Sequence, residues 1–297
     1  MTGRLADIAQ RIASVRELDS VIAAMRGIAA SRAQLCRARL PGVLAYEEVI
    51  ADAIVEALPL VPGAATGADR RRGAGHAVVL FGAEQGFAGA FTDRVLDGAA
   101  TVLKDAALML LGTRAATVVE ERGLPVAWGS AMPSHPDAVA TTADRVAEAL
   151  YERIVDGRAD RVSLVFPVWQ ADGQLRVETR ALLPFDFGHF VARGGMPPRS
   201  RPPLLTLPAA TLLARLVEEY VFAELCAAAL EAIAAENEAR IAAMLAANRN
   251  VERVSSELHA LERRTRQNDI TAEIAELSTG LMNAGRDGPL PPASRDF

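Results

Sequence analysis

Lysine is almost missing from this chain. Lys104 is the single one among 297 residues, and every other basic side chain is arginine. Such arginine richness first reflects base composition, so it is not read as a site. Aromatic residues make up only 5% of the sequence, and alanine and leucine supply much of its 51% hydrophobic content, a balance that favours helix. Surplus positive charge is absent too: the net charge is -5, which argues against non-specific binding to nucleic acid. Cys36 and Cys226 are far apart and lack metal-ligand spacing. His76, His135, His189 and His259 form neither an HExxH motif nor a Cys/His cluster, so neither a metal nor a disulfide framework is expected. No uninterrupted apolar run reaches the roughly 18 to 20 residues of a membrane span. The opening residues form an amphipathic run carrying Arg4, Asp7 and Arg11, unlike a leader peptide.

What is present falls into three parts. Over 1–58, Leu5, Ile8, Ile12 and Val15, then Leu18, Ile22 and Met25, step by three and four, the stripe of a helix seeking one partner face. Pro41-Gly42 is expected to kink or briefly break it. A linker over 59–75 follows. Residues 76–207 read as an α/β domain. HAVVLF is a buried strand, GAEQGFAGAF a glycine turn, Thr92 to Lys104 a helix with Thr92 or Asp93 near its cap, and AALMLLG a second strand. VVEERG, a short PVAWG strand and a helix from about Pro136 to Asp156 come next. RVSLVFPVWQ and QLRVETRALLP are joined at Asp172-Gly173, a favourable hairpin turn. This order predicts a largely parallel sheet with an antiparallel hairpin at its edge. Over 208–284 the stripe resumes through Val251, Val254, Leu258, Leu261, Ile270, Ile274, Leu277 and Leu281, with no proline or glycine between Pro208 and Gly280. A helix this long suggests coiled coil. The tail 285–297 reads as disordered.

A long helix at each end of a compact domain implies an antiparallel pair. Residues 1–40 hold seven arginines against Asp7, Glu17 and Asp19, while 208–285 hold seven arginines against twelve acids. The opposite signs favour pairing, although each exposed ion pair adds only about 0 to 1 kcal/mol.

Catalytic constellations do not emerge. GAEQGFAGAF has glycines at Gly82, Gly86 and Gly89, but Glu84 stands where a dinucleotide fingerprint needs glycine. A carboxylate there would repel a pyrophosphate, so a tight structural turn is the favoured reading. The acid pairs Glu47-Glu48, Glu120-Glu121 and Glu218-Glu219 read as solvated surface, and the two cysteines as small packing residues. One stretch stands out within the last helix: RRTRQNDITAE, Arg263 to Glu273, where the apolar stripe turns polar. Either it is a solvated patch where the partner helix has ended, or it is a surface that another protein reads. Spacing does not choose between these.

Four stretches carry a resemblance. IAAMRGIAASR (Ile22 to Arg32) is similar to an Ala-Met…Val-Ala-Ala-Ser-Lys run, and GFAGAF to a Gly-Leu-Cys-Gly-Gly turn. AAMLAANRN (Ala242 to Asn250) follows Met-x-x-Ala-x-x-Asn, and RTRQNDITAEIAEL (Arg264 to Leu277) is similar to Lys-x-Arg-Gln-x-x-Ile-Thr-x-Glu-Leu-x-Glu-Ile. All four belong to the gamma subunits of F-type ATP synthases, which this chain resembles over residues 1 to about 284. The resemblance implies an antiparallel coiled coil plus a small Rossmann-like α/β domain. It implies a central rotor shaft with no catalytic residue and no cofactor. The implied partners are the alpha and beta subunits, the epsilon subunit and the membrane c-ring, at the cytoplasmic face of a bacterial inner membrane. Arg266 and Gln267 match residues that meet alpha and beta loops, Thr271 and Glu273 match further positions there, and Arg240 matches an arginine lower on the helix. Ala23 and Ala88 depart from the family's lysine and cysteine, and the match fades over Glu276 to Leu281. These departures suggest a divergent bacterial form, from an alternative ion-translocating ATPase. The competing readings are a coiled-coil adaptor and a nucleotide-binding α/β protein.

Overall fold

The structure, a computed structural model, describes residues 2–61, 75–185 and 204–284. Most of the expected linker, the proline-rich segment 194–203 and the tail 285–297 lie outside the described residues. The chain divides into two compact units, Met25–Met244 and Met1–Ala24 with Leu245–Phe297.

In chain order, α1 (Thr2–Ala57) leads through a short 3-10 turn to β1 (His76–Phe81), α2 (Phe91–Leu103) and β2 (Ala106–Leu111). Then come α3 (Thr113–Glu121), β3 (Val126–Ser130), α4 (Val139–Val155), β4 (Arg161–Trp169), β5 (Leu175–Leu183) and α5 (Ala209–Ala284). The sheet order is β3-β2-β1-β4-β5. β1 pairs in parallel with both β2 and β4, and β5 closes one edge antiparallel to β4. The expected edge hairpin is present. Gly173 turns with φ +79, and Asp172 Oδ1 accepts the Gln174 N–H at 2.9 Å.

β1 is covered on both faces, which is why it reads as an unbroken apolar run. Ala77, Val79 and Phe81 pack with α4 and with Val221 to Ala234 of α5. Val78 and Leu80 pack with Phe91, Val95 and Leu96 of α2 and with Ala115 and Val119 of α3. Close approach requires glycine at the β2–α3 turn: Gly112 has φ +117, and a Cβ there would lie 2.6 Å from the Ala83 carbonyl oxygen.

Three expectations are corrected here. α1 runs unbroken through Pro41. The proline leaves the Arg37 carbonyl without its helical donor, at about 3 kcal/mol in a helix interior. Packing on both sides holds the helix: Leu40 and Val43 lie against the core, Arg37 pairs with Glu238 at 2.7 Å, and Arg39 pairs with Asp137. α2 begins at Phe91 with no side-chain cap; Thr92 is buried and Asp93 pairs instead with Arg122 at 2.6 Å. Burial of Phe91 fixes that helix start where a cap was expected. Glu47 is buried rather than solvated, within 3.2 Å of the Tyr220 hydroxyl. In addition, α3 is an element that the sequence reading did not assign.

Within the larger unit α1 and α5 lie antiparallel: Arg37 meets Glu238, and further along α1 Tyr46 donates to Glu219 at 2.7 Å. In the smaller unit Ile8, Ile12 and Ile22 of α1 are buried, with Val251 and Thr265 of α5. The buried face passes from Val15 through Asp19 to Ile22, and Leu18 is 51% exposed. Asp19, not Leu18, therefore occupies the stripe. Among the described residues no helix is long and apolar enough to cross a membrane.

Candidate partner-contact surface

The end of α5 takes its geometry from one polar pair. Asn248 Nδ2 donates to Asp19 Oδ1 at 2.8 Å. In an antiparallel pair each step back along α1 is matched by a step forward along α5. Seventeen residues back from Asp19 is Thr2, where α1 starts, and seventeen forward from Asn248 is Thr265. Thr265 is 7% exposed, and no described side chain beyond it is buried. Residues 266–284 thus lie beyond the level of Thr2, the first described residue of α1, and continue as an exposed helix over roughly 28 Å at 1.5 Å per residue.

The polar band begins at this step. Arg266 has a 66% exposed side chain, paired with Glu262 one turn back at 3.1 Å. An exposed pair of this kind contributes about 0 to 1 kcal/mol, so the guanidinium exchanges it readily for another carboxylate. Gln267, Thr271 and Glu273 are exposed as well. The Thr271 hydroxyl donates back to the Gln267 carbonyl at 2.8 Å, which leaves its oxygen as an acceptor. Ile270 lies between these residues and Ile274 and Leu277 just beyond them, at 52%, 58% and 63% exposure. The combination is a few re-pairable polar groups along an uncovered apolar stripe.

Arg240 is not on this surface. It is 4% exposed, and its guanidinium is committed inside the larger unit. Nε donates to the Gly86 carbonyl at 3.1 Å, Nη2 to the Gln85 carbonyl at 3.2 Å and to Glu236, and Nη1 to Asn237 Oδ1 at 2.9 Å. The expectation grouped Arg240 with the partner contacts, whereas its donors all face inward. Every nitrogen of the guanidinium is hydrogen-bonded, as burial of that charge requires.

Sequence reading missed the rest of that network. Glu236 accepts the N–H groups of Glu84 and Gln85 at 2.9 and 3.0 Å. The Glu84 carboxylate in turn accepts Thr113 N–H, the Thr113 hydroxyl and Met132 N–H at 3.0, 2.8 and 2.8 Å. It thereby fills the amino end of α3, the place where an anion would otherwise approach. The available signal was ENEAR, Glu236 to Arg240, a polar cluster inside an alanine-rich helix. Among the described residues no group of three His, Cys, Asp or Glu side chains is placed to hold a metal ion.

Comparison with known proteins agrees with this architecture. The family model described as ATP synthase matches residues 4–283. The ATP synthase gamma chain of Parafrankia sp. (strain EAN1pec) is 30% identical over 297 residues, covering 94% of this chain and 97% of the relative. That of Rhodospirillum rubrum is 26% identical, covering 93% and 98%. A chain of the Euglena gracilis mitochondrial ATP synthase, solved by cryo-EM as OSCP/F1/c-ring, superposes with a TM-score of 0.61 at 13% identity, covering 99% of this chain and 100% of that one. One from the central stalk/c-ring of the Tetrahymena thermophila mitochondrial ATP synthase gives 0.51 at 16% identity, covering 76% and 99%. The chain belongs to the ATP synthase gamma-chain family.

Proposed function

We propose that this chain is the central rotor shaft of an F-type ATP synthase. Ion flow through the membrane sector turns it, and its two sides differ, so each beta subunit in turn meets a different face and changes its nucleotide affinity. The shaft carries no catalytic group of its own. Its α/β domain sits with the epsilon subunit on the c-ring, peripherally, at the cytoplasmic face of a bacterial inner membrane. The observation that carries the reading is the uncovered end of α5 beyond Thr265. A helix presenting Ile270, Ile274 and Leu277 to solvent calls for a surrounding surface. Arg266, Gln267, Thr271 and Glu273 supply polar contacts that form and break at each step, each worth about a kcal/mol. Such contacts register an angle without locking the rotor.

Co-purification tests this. A tagged chain expressed in its own host is expected to bring down alpha, beta and epsilon subunits with ATPase activity. Recovery of the chain alone, or with partners that hydrolyse no ATP, would defeat the rotor reading.

A further inference from the structure

Much of the surface that α5 packs against the α/β domain is small: Ala228, Ala229, Ala232, Ala234 and Ala235 are buried there, interspersed with Leu225, Leu230 and Ile233. Such a surface adheres through apolar burial, which is non-directional. Alanine methyls interlock little, so the alanine positions add little resistance to sliding or twisting of the helix against the sheet. Hydrogen bonds are directional, and they fix position along every axis they span.

On this same face two charged side chains are buried together. Glu236 grips the 84–86 turn by its N–H groups, and Arg240 grips it by its carbonyls, with 4% exposure each. Arg32 of α1 adds a third hold, donating to Gln85 Oε1 at 3.0 Å. From the turn, Glu84 ties onward to Thr113 at the start of α3 and to Met132 beyond β3. An unbroken hydrogen-bonded route therefore runs from α5 to the carboxyl ends of three strands. Stability alone does not ask for a buried ion pair, since an apolar pair of similar volume serves as well.

We propose that Glu236 and Arg240 form a torsional clamp on the 84–86 turn, the part that makes α5 and the α/β domain turn as one body. The clamp rests on the rotor reading for its purpose but not for its existence, and the two are tested separately.

Hydrogen exchange on the full chain tests existence. Arg240→Lys keeps a charge for Glu236 but loses the fork that spans two carbonyls; Glu236→Gln keeps the shape and loses the charge. In Arg240→Lys, exchange at the Glu84 and Gln85 amides is expected to rise at least tenfold, with Val78 to Leu80 unchanged. Unchanged exchange in both variants overturns the clamp, and the lysine variant serves if the glutamine one does not fold. Purpose is tested in the assembled complex, with the alpha/beta hexamer immobilised and a rod attached through Val155→Cys, an exposed site on α4. The angular variance of the stalled rod is expected to grow at least twofold in Arg240→Lys. Unchanged variance in a variant with fast amide exchange overturns the torsional role and leaves the rotor reading standing. A rod that fails to turn on the unmodified chain defeats the rotor reading instead.

Discussion

One hydrogen bond, from Asn248 to Asp19 at 2.8 Å, marks the register of α1 against α5. Asp19 occupies a face position otherwise taken by isoleucine and valine, so it fixes register at some cost in burial, as a polar residue in a coiled-coil seam does. The expected outcome is sharp. Leu18→Ala, being off the face, changes stability by no more than about 0.5 kcal/mol, while Ile22→Ala costs about 2 to 4 kcal/mol. Asp19→Leu alone strands the Asn248 amide and costs about 1 to 2 kcal/mol, but Asp19→Leu with Asn248→Leu recovers most of it. Urea unfolding of the four variants measures this, and equal losses at Leu18 and Ile22 would reject the register. Glu231 supplies a second test at this scale. Burial raises its pKa above the ordinary 4.5, nearby Glu178 adds to the rise, and Arg37 and Arg180 oppose it. The folded state therefore holds this proton to higher pH than the unfolded chain does. Its contribution to stability is full below about pH 4.5 and is lost as pH rises through the folded value. Glu231→Gln is thus expected to gain stability relative to the parent at pH 8 and to lose that gain by pH 4. An advantage equal at both pH values contradicts the burial account.

Among the elements, α1 raises the clearest test, because Pro41 sits inside an unbroken helix. Alanine there restores the bond to the Arg37 carbonyl and removes the ring clash. Pro41→Ala is expected to stabilise the chain by about 1 to 3 kcal/mol, read as a higher melting temperature; destabilisation would mean that the helix depends on the distortion. How far elements were legible follows from what made each of them. β1, β2 and β4 are buried on both faces, so their apolar runs announce them, and Asp172-Gly173 marks its own hairpin through the positive φ it needs. The start of α2 was not legible, since packing of Phe91 overrides the local cap chemistry of Thr92. Nor was α3, nine residues long, whose amino end is completed by Glu84 from another loop. The Glu236–Arg240 pair was visible as an oddity in an alanine helix, yet its partner lies about 150 residues away in sequence. No local pattern encodes such a distance, and the resemblance that aligned Arg240 with a family arginine said nothing of which way it faces.

For the whole molecule, what matters is where the paired helices become one. Spacing alone offered two readings of RRTRQNDITAE, a patch where the partner helix ends or a surface another protein reads, and the geometry makes them compatible. The first described turn of α1 lies level with Thr265, and the next turns of α5 are exposed, open to something else. The residues of the band should then matter for assembly and not for the fold. Arg266→Ala with Gln267→Ala removes one surface ion pair and one exposed amide, so the isolated chain is expected to keep its melting profile to within about 0.5 kcal/mol. In the assembled complex the same change is expected to lower assembly or coupled ATPase activity several-fold, because each lost contact to a buried partner group costs about 1 to 3 kcal/mol. Ile274→Ala separates the two kinds of contact on this stretch: it leaves the polar band intact and trims only the apolar stripe. It should weaken assembly if a surrounding surface covers that stripe, and leave it untouched if the stripe faces solvent. Titrating each variant chain into alpha and beta subunits and measuring ATPase yield decides the matter. Full activity of both variants would mean that the exposed end of α5 is not where the shaft is held.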